Sequence, residues 1–231
     1  DPDRVVYAGQ NISAHYITKL RKFLTGKKVA INIVSKSGTT TEPAVALRIL
    51  KDLVPEESAA KYIVATTDEK KGALLQLAKS NGWETFVVPD NIGGRYSVMS
   101  AVGLLPIAYA GVDIDAFLGG AIECANLCAS ESDPLKNPAY FYAAVRNVLY
   151  GQGYAVELMA SFDPRFHYLA EWWKQLFGES EGKENMGLFP AAVDYTTDLH
   201  SMGQYVQEGR RMIAETFLII DGGEPSITVP K

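Results

Sequence analysis

The chain is 231 residues long, with 22 lysines and arginines against 27 aspartates and glutamates and a net charge of −5. That length can bury one large core or two smaller ones, and a composition of 47% apolar and 21% charged residues is that of a globular protein. A mildly acidic chain with no basic block is a poor polyanion binder, which argues against nucleic acid and anionic membrane surfaces as partners.

The longest uncharged run, Ser97 to Val112, carries Gly103, Pro106 and Gly111 and falls short of the ~20 residues of a membrane helix, so no membrane span is predicted. The charged opening Asp1-Pro2-Asp3-Arg4 contains no apolar signal segment. The two cysteines, Cys124 and Cys128, stand four apart in a helical stretch where a disulfide is geometrically poor. They read as reduced core thiols of a cytoplasmic protein, with no Cys or His cluster to complete a metal site. A chain that opens on Asp1 and closes soon after a strand reads as a piece of something longer.

In chain order, Val29 to Val34 is a short β-branched run that predicts a buried strand, followed by the polar loop Ser35 to Thr41 and a helix over Pro43 to Leu53. Lys61 to Thr66 repeats the strand pattern and Glu69 to Ser80 the helix pattern. Asn81-Gly82 stops that helix, and Thr85 to Val88 forms a third strand. Alternating strands and helices predict a parallel sheet covered on both faces. Ligands bind beyond the carboxyl ends of such strands, so the loops Ser35 to Thr41 and Asp90 to Ser97 belong on one edge. An apolar helix follows, and a domain boundary near Gly111 separates residues 1–111 from residues 112–231. The stretch Asp113 to Tyr150 is helical, with Asp133-Pro134 marking a loop and Asn137-Pro138 a helix start. A second α/β unit opens with a strand over Tyr154 to Ala160. Leu169, Trp172, Trp173, Leu176 and Phe177 then mark one face of an amphipathic helix. A last strand, Thr216 to Ile220, ends at Asp221-Gly222-Gly223. With so few strands, this second sheet is predicted to be incomplete.

Chemistry concentrates in a few places. Ser35, Lys36, Ser37, Gly38, Thr39, Thr40 and Thr41 join a strand to a helix that Pro43 pre-organises, so hydroxyls, exposed amides and the positive helix end converge as a phosphate would need. Glu42 opposes an anion there unless it points away, and an ordinary Ser/Thr capping loop fits the same pattern. Gly93-Gly94 turns the chain tightly and brings Arg95 to the strand edge, either to stabilise an anion or to tie two loops by a salt bridge. Glu171, Glu179, Glu181 and Glu184 surround the end of the amphipathic helix, with Gln175 one turn before Glu179. Such a glutamate is a general base when held in a cleft and simply solvated otherwise. His200 sits in a polar setting where Asp198 could fix its tautomer, or it caps a helix. HExxH, GxSxG, GxGxxG and Walker patterns are absent, which weakens metallohydrolase, serine hydrolase and nucleotide readings.

These stretches resemble the glucose-6-phosphate isomerase family in its bacterial form. The match rests on Ser35 to Glu42, on Gly93 to Ser97, and on Gly178-Glu179-Ser180-Glu181-Gly182-Lys183 through Asp198 to Gln204, in that order and at fitting separations. The resemblance implies sugar isomerase (SIS) domains, each a three-layer αβα sandwich: one near-complete and bearing the phosphate loop, then part of a second with the catalytic Glu and His. It implies reversible interconversion of glucose 6-phosphate and fructose 6-phosphate in glycolysis and gluconeogenesis, without metal or cofactor. Ser35, Lys36, Ser37 and Thr40 would hold the phosphate, Gln175 would line the pocket and Glu179 would be the base. Arg95 would stabilise the enediolate, and His200 would assist ring opening from the partner subunit of a homodimer. The family also carries a Gly-Ile-Gly-Gly-Ser stretch upstream and a glutamine and lysine near its carboxyl end. None of these is found in this chain, which therefore resembles the family's central part. Two further readings are a non-catalytic phosphosugar-binding SIS module and an isomerase that also accepts mannose 6-phosphate.

Overall fold

A computed structural model describes residues 4–220 and 227–228. The chain divides into two compact units, Asp1–Glu123 and Cys124–Lys231. Both are α/β, and each carries a three-stranded sheet whose strands are all parallel. Among the described residues, no helix is long and apolar enough to cross a membrane.

The first unit opens with α1 (Ala14–Leu24), which buries Ile17 and Leu20 and was not anticipated from the sequence. Then come β1 (Ile31–Val34), α2 (Thr41–Leu50), the short α3 (Ala59–Tyr62), β2 (Ile63–Thr67), α4 (Ala73–Asn81) and β3 (Glu84–Val87). The sheet order is β1-β2-β3, with Ile33 beside Ala65 and Ala65 beside Thr85. Ile33, Ile63 and Ala65 share one face, and Leu47 of α2 with Leu74 and Ala78 of α4 pack against it. That sharing is what successive right-handed crossovers in one direction produce. The helix predicted from Glu69 starts only at Ala73. Asp68 turns its carboxylate onto the amides of Lys70 and Lys71, and Gly72 at φ 110° lies outside helical space. At the other end Gly82, at φ 67°, closes α4 in the left-handed conformation, at the stop that Asn81-Gly82 predicted. After β3 a 3₁₀ turn over Gly94–Met99 leads into the apolar α5 (Ala101–Tyr109).

The division between the units falls within α6 (Ile114–Ser130). Cys124 there is exposed and Cys128 half-buried, neither of them in a disulfide, so the expectation of core cysteines is corrected. α6 buries none of its residues, which leaves no core for them to enter. The second unit continues with α7 (Pro138–Gly151), β4 (Val156–Ser161), α8 (His167–Glu181), β5 (Phe189–Asp194), α9 (Thr197–Ser201), α10 (Gly203–Glu208) and β6 (Ile213–Leu218). Asn137 is fully buried and satisfied at both ends of its amide. Its oxygen accepts from the Ala139 and Tyr140 amides, and its nitrogen donates to the Cys128 and Glu131 carbonyls.

The sheet order β5-β4-β6 puts the two crossovers on opposite faces. Met159 meets Trp173 and Ala170 of α8 on one side, while Leu158 and Ala160 meet Val206 of α10 on the other. Strand β5 had no sequence signal because Pro190 and two alanines interrupt the apolar pattern. It tolerates Pro190 because it is an edge strand, where a missing N–H on the outer side breaks no ladder bond. β6 begins three residues before the predicted Thr216. Its predicted stop at Asp221-Gly222-Gly223 lies outside the described residues.

Candidate functional site

At the carboxyl edge of the first sheet, Lys36, Ser37, Thr40, Asp68, Lys71, Gly72 and Asp90 line an open cleft of about 630 Å³. The edge is where the sequence put the ligand, and the two expected loops do converge on it. Lys36 Nζ reaches across to donate to the carbonyls of Asp90 at 2.8 Å and Pro89 at 3.3 Å, with the Asp90 carboxylate at 3.8 Å. The tie between the loops is thus made by Lys36.

The loop Ser35 to Thr41 is shaped by its own hydroxyls. Ser35 is buried, and its Oγ accepts the Gly38 amide at 3.0 Å and donates to Thr40 Oγ1 at 3.4 Å. Ser37 Oγ accepts the Thr39 amide at 3.2 Å and stands 2.9 Å from Thr39 Oγ1. Thr40 is the N-cap residue of α2, yet its side chain makes no capping bond. The capping reading therefore fails for the residue it would most need, and the positive end of α2 lies at the cleft without a cap from the Thr40 side chain.

Two glycines lock this loop to the segment after β2. Gly38 has φ +74°, and a Cβ there would lie 2.2 Å from the Leu74 amide nitrogen. Gly72 has φ +110°, and its Cβ would lie 2.9 Å from the Ser37 carbonyl. The Ala73 amide donates to the Ser37 carbonyl at 3.0 Å. Buried Thr67 adds its hydroxyl to the Ser35 carbonyl at 2.8 Å. Asp68, Lys71 and Gly72 as cleft residues were missed by sequence reasoning, which had put only the Ser35 and Asp90 loops on this edge. The signal was Thr67-Asp68 at the end of a strand, but only the order β1-β2-β3 makes that strand central. The Lys70 and Lys71 amides hold the Asp68 carboxyl below the usual carboxylate range, against the opposing effect of burial.

Arg95 lies on the 3₁₀ turn after β3, its guanidinium over the Tyr96 ring at 4.8 Å, and it is not among the residues lining the cleft.

In the second unit, Gln175 and Glu179 share a face of α8, and Gln175 lines a second cleft of about 530 Å³ together with Lys174, Gly178, Gly182 and residues 186–190. Glu179 is exposed in the last turn. Glu181, two residues on, is bound by buried Arg146 at 2.5 Å. Arg146 also holds the fully buried Glu157 at 2.5 Å, and Glu157 accepts further bonds from the Tyr142 and Thr216 hydroxyls. Burial alone would lower the Arg146 pKa, but its bonds to Glu181 and Glu157 outweigh that and raise it.

His200 is exposed on α9. The Asp198 carboxylate instead accepts from the Asp194 amide at 2.8 Å and from Ser201 Oγ at 3.0 Å. The end of α8 adjoins the start of β5, where a Cβ on Gly178 would meet Pro190 at 3.6 Å, whereas α9 follows the end of β5. The six residues of β5 span roughly 20 Å. Glu179 and His200 of this unit therefore stand at opposite edges of one sheet.

The sequence matches the family described as phosphoglucose isomerase across residues 3–223. The chain belongs to the phosphoglucose isomerase family. A glucose-6-phosphate isomerase of Clostridium perfringens (strain SM101 / Type A) is 56% identical over 225 residues, covering 96% of this chain and 49% of the relative. One from Clostridioides difficile (strain 630) is 53% identical over 229 residues, covering 97% and 51%. The chain thus spans about half the length of these phosphoglucose isomerase relatives. Among solved structures, a hypothetical protein from Thermus thermophilus matches with a TM-score of 0.83 at 29% identity, covering 96% of this chain and 54% of that one. A glucose-6-phosphate isomerase from Chlamydia trachomatis D/UW-3/Cx matches with a TM-score of 0.77 at 24% identity, covering 90% and 42%, a likeness of fold.

Proposed function

We propose that the chain is part of an aldose-ketose isomerase that interconverts glucose 6-phosphate and fructose 6-phosphate. The observation that carries this reading is the cleft at the Ser35 to Thr41 loop, in a chain that belongs to this family. The backbone at Lys36, with Ser37, Thr40 and the positive end of α2, binds the phosphate, with Ser35 shaping the loop from beneath and the Lys36 ammonium tying it to the Asp90 loop. Glu179 removes the proton from carbon 2 of the open sugar and returns it to carbon 1 through a planar enediolate. One base serves both carbons because they are adjacent. Gln175 borders the substrate, and Arg95 balances the developing oxyanion. His200 opens the sugar ring. Its distance from Glu179 across β5 supports a His200 that reaches the base from a second copy of the chain, in a homodimer.

The test joins this chain to the portions of the Clostridium perfringens relative that it does not span and assays the product as an isomerase. Turnover is expected, and Glu179→Gln is expected to lower it by ~100-fold or more while sugar phosphate affinity changes little. Deuterium at carbon 2 should also stop exchanging with solvent. Exchange at nearly the normal rate in the Glu179→Gln protein would assign the base to another residue.

A further inference from the structure

The charges around the cleft of the first unit do not serve a phosphate equally. Its lining carries two cations, Lys36 and Lys71, and two carboxylates, Asp68 and Asp90. A phosphate monoester brings nearly two negative charges near neutral pH, so an evenly balanced lining attracts it only through a cation that is free to turn toward it. Lys36 Nζ is drawn away to the Pro89 and Asp90 carbonyls, with the Asp90 carboxylate beside it. Asp68 Oδ1 accepts the Lys70 amide at 2.8 Å and the Lys71 amide at 2.9 Å, and this holds the carboxylate in the floor of its own turn. Lys71 is different: its backbone is fixed by that turn, while its ammonium makes no hydrogen bond and no ion pair within 4 Å among the described residues.

The turn also cannot drift from the phosphate loop. Gly72, next in sequence, is pressed against the Ser37 carbonyl, and Gly38 against the Leu74 backbone. A flexible cationic side chain is thereby anchored on a rigid backbone directly beside Ser37 and Thr40. Building on the phosphosugar reading above, we infer that Lys71 is a phosphate-binding residue of this site, supplying the cation that Lys36, tethered to the opposite loop, does not. Lys36 holds the loops of β1 and β3 together, and Lys71 neutralises the ligand.

The experiment is an NMR titration of this chain with inorganic phosphate and with glucose 6-phosphate, for the unsubstituted protein and for Lys71→Met, Lys71→Arg and Ser37→Ala. Lys71 is exposed, so its variants should fold, and their urea midpoints check this. Lys71→Met is expected to weaken both ligands by ~10-fold or more, the scale of a lost charge-assisted bond. Lys71→Arg should retain most of the affinity. If Ser37→Ala weakens binding but Lys71→Met does not, Lys71 has no such role while the loop remains the phosphate site. A loss in Lys71→Met confined to glucose 6-phosphate would also overturn the inference, because a phosphate contact must show with inorganic phosphate. If neither ligand perturbs the loop of the unsubstituted chain, the phosphate reading fails and the inference with it.

Discussion

Replacing Arg146 by methionine should be among the most damaging single changes in the second unit, because it strands a buried charge. The guanidinium is 8% exposed and Glu157 2% exposed. Methionine keeps the apolar contact that Arg146 makes over the Phe177 ring, 4.1 Å from its centroid, so the loss isolates the ionic part. Glu157 would retain donors from the Tyr142 and Thr216 hydroxyls but lose its cation. Removing one partner of a buried pair typically costs ~3–5 kcal/mol, roughly a fifth or more of the ~5–15 kcal/mol that holds a domain together. The net worth of the intact network is smaller, since Arg146 Nη2 is buried without a partner, itself a penalty of ~1–3 kcal/mol. Urea unfolding of Arg146→Met, Glu157→Gln and the double variant measures the coupling. The double variant should cost less than the two single losses together by more than ~1 kcal/mol. Additivity within ~0.5 kcal/mol, or a loss under ~1 kcal/mol for Arg146→Met alone, would refute the claim that the pair is an interdependent buried unit.

Two other consequences concern the backbone and the alkaline limit. Gly38→Ala should lower stability by ~2 kcal/mol or more and abolish phosphate binding, because φ +74° and a Cβ 2.2 Å from the Leu74 nitrogen cannot both be relieved without opening the loop. Gly82→Ala has a similar φ of +67° but its nearest neighbour is 3.9 Å away, so thermal denaturation should show only ~1 kcal/mol lost there. Burial, then the hydrogen bond to Glu157, pushes the Tyr142 phenol up to about 12, and burial with Glu215 does the same for Tyr195. The unfolded chain releases these protons near pH ~10 while the folded chain keeps them. Stability from this source is therefore intact below ~10 and falls as pH rises toward 12. Urea midpoints at about pH 9 and about pH 11 should show the decline, and a smaller decline in Tyr142→Phe.

What the sequence by itself determined was local. The strand, loop and helix around Ser35 to Thr41, the stop at Asn81-Gly82 and the start at Asn137-Pro138 all depend on bonds between residues a few positions apart, and these residue types restrict the backbone wherever they occur. The family motif around Glu179 was legible for the same reason, as a run of adjacent residues. What only the tertiary structure decided depends on which segments lie side by side. Strand order made β2 central and so brought Asp68 and Lys71 to the cleft, and the pairing of loops 54 residues apart turned Lys36 toward Asp90. β5 exists despite Pro190 because it is an edge strand, and Glu181, which by sequence could be simply solvated, is held by Arg146 35 residues away. A carboxylate's surroundings, and hence its charge and its use, are set by neighbours that no local pattern names, because charge and burial act through space and the chain brings those neighbours together only when its strands are in register.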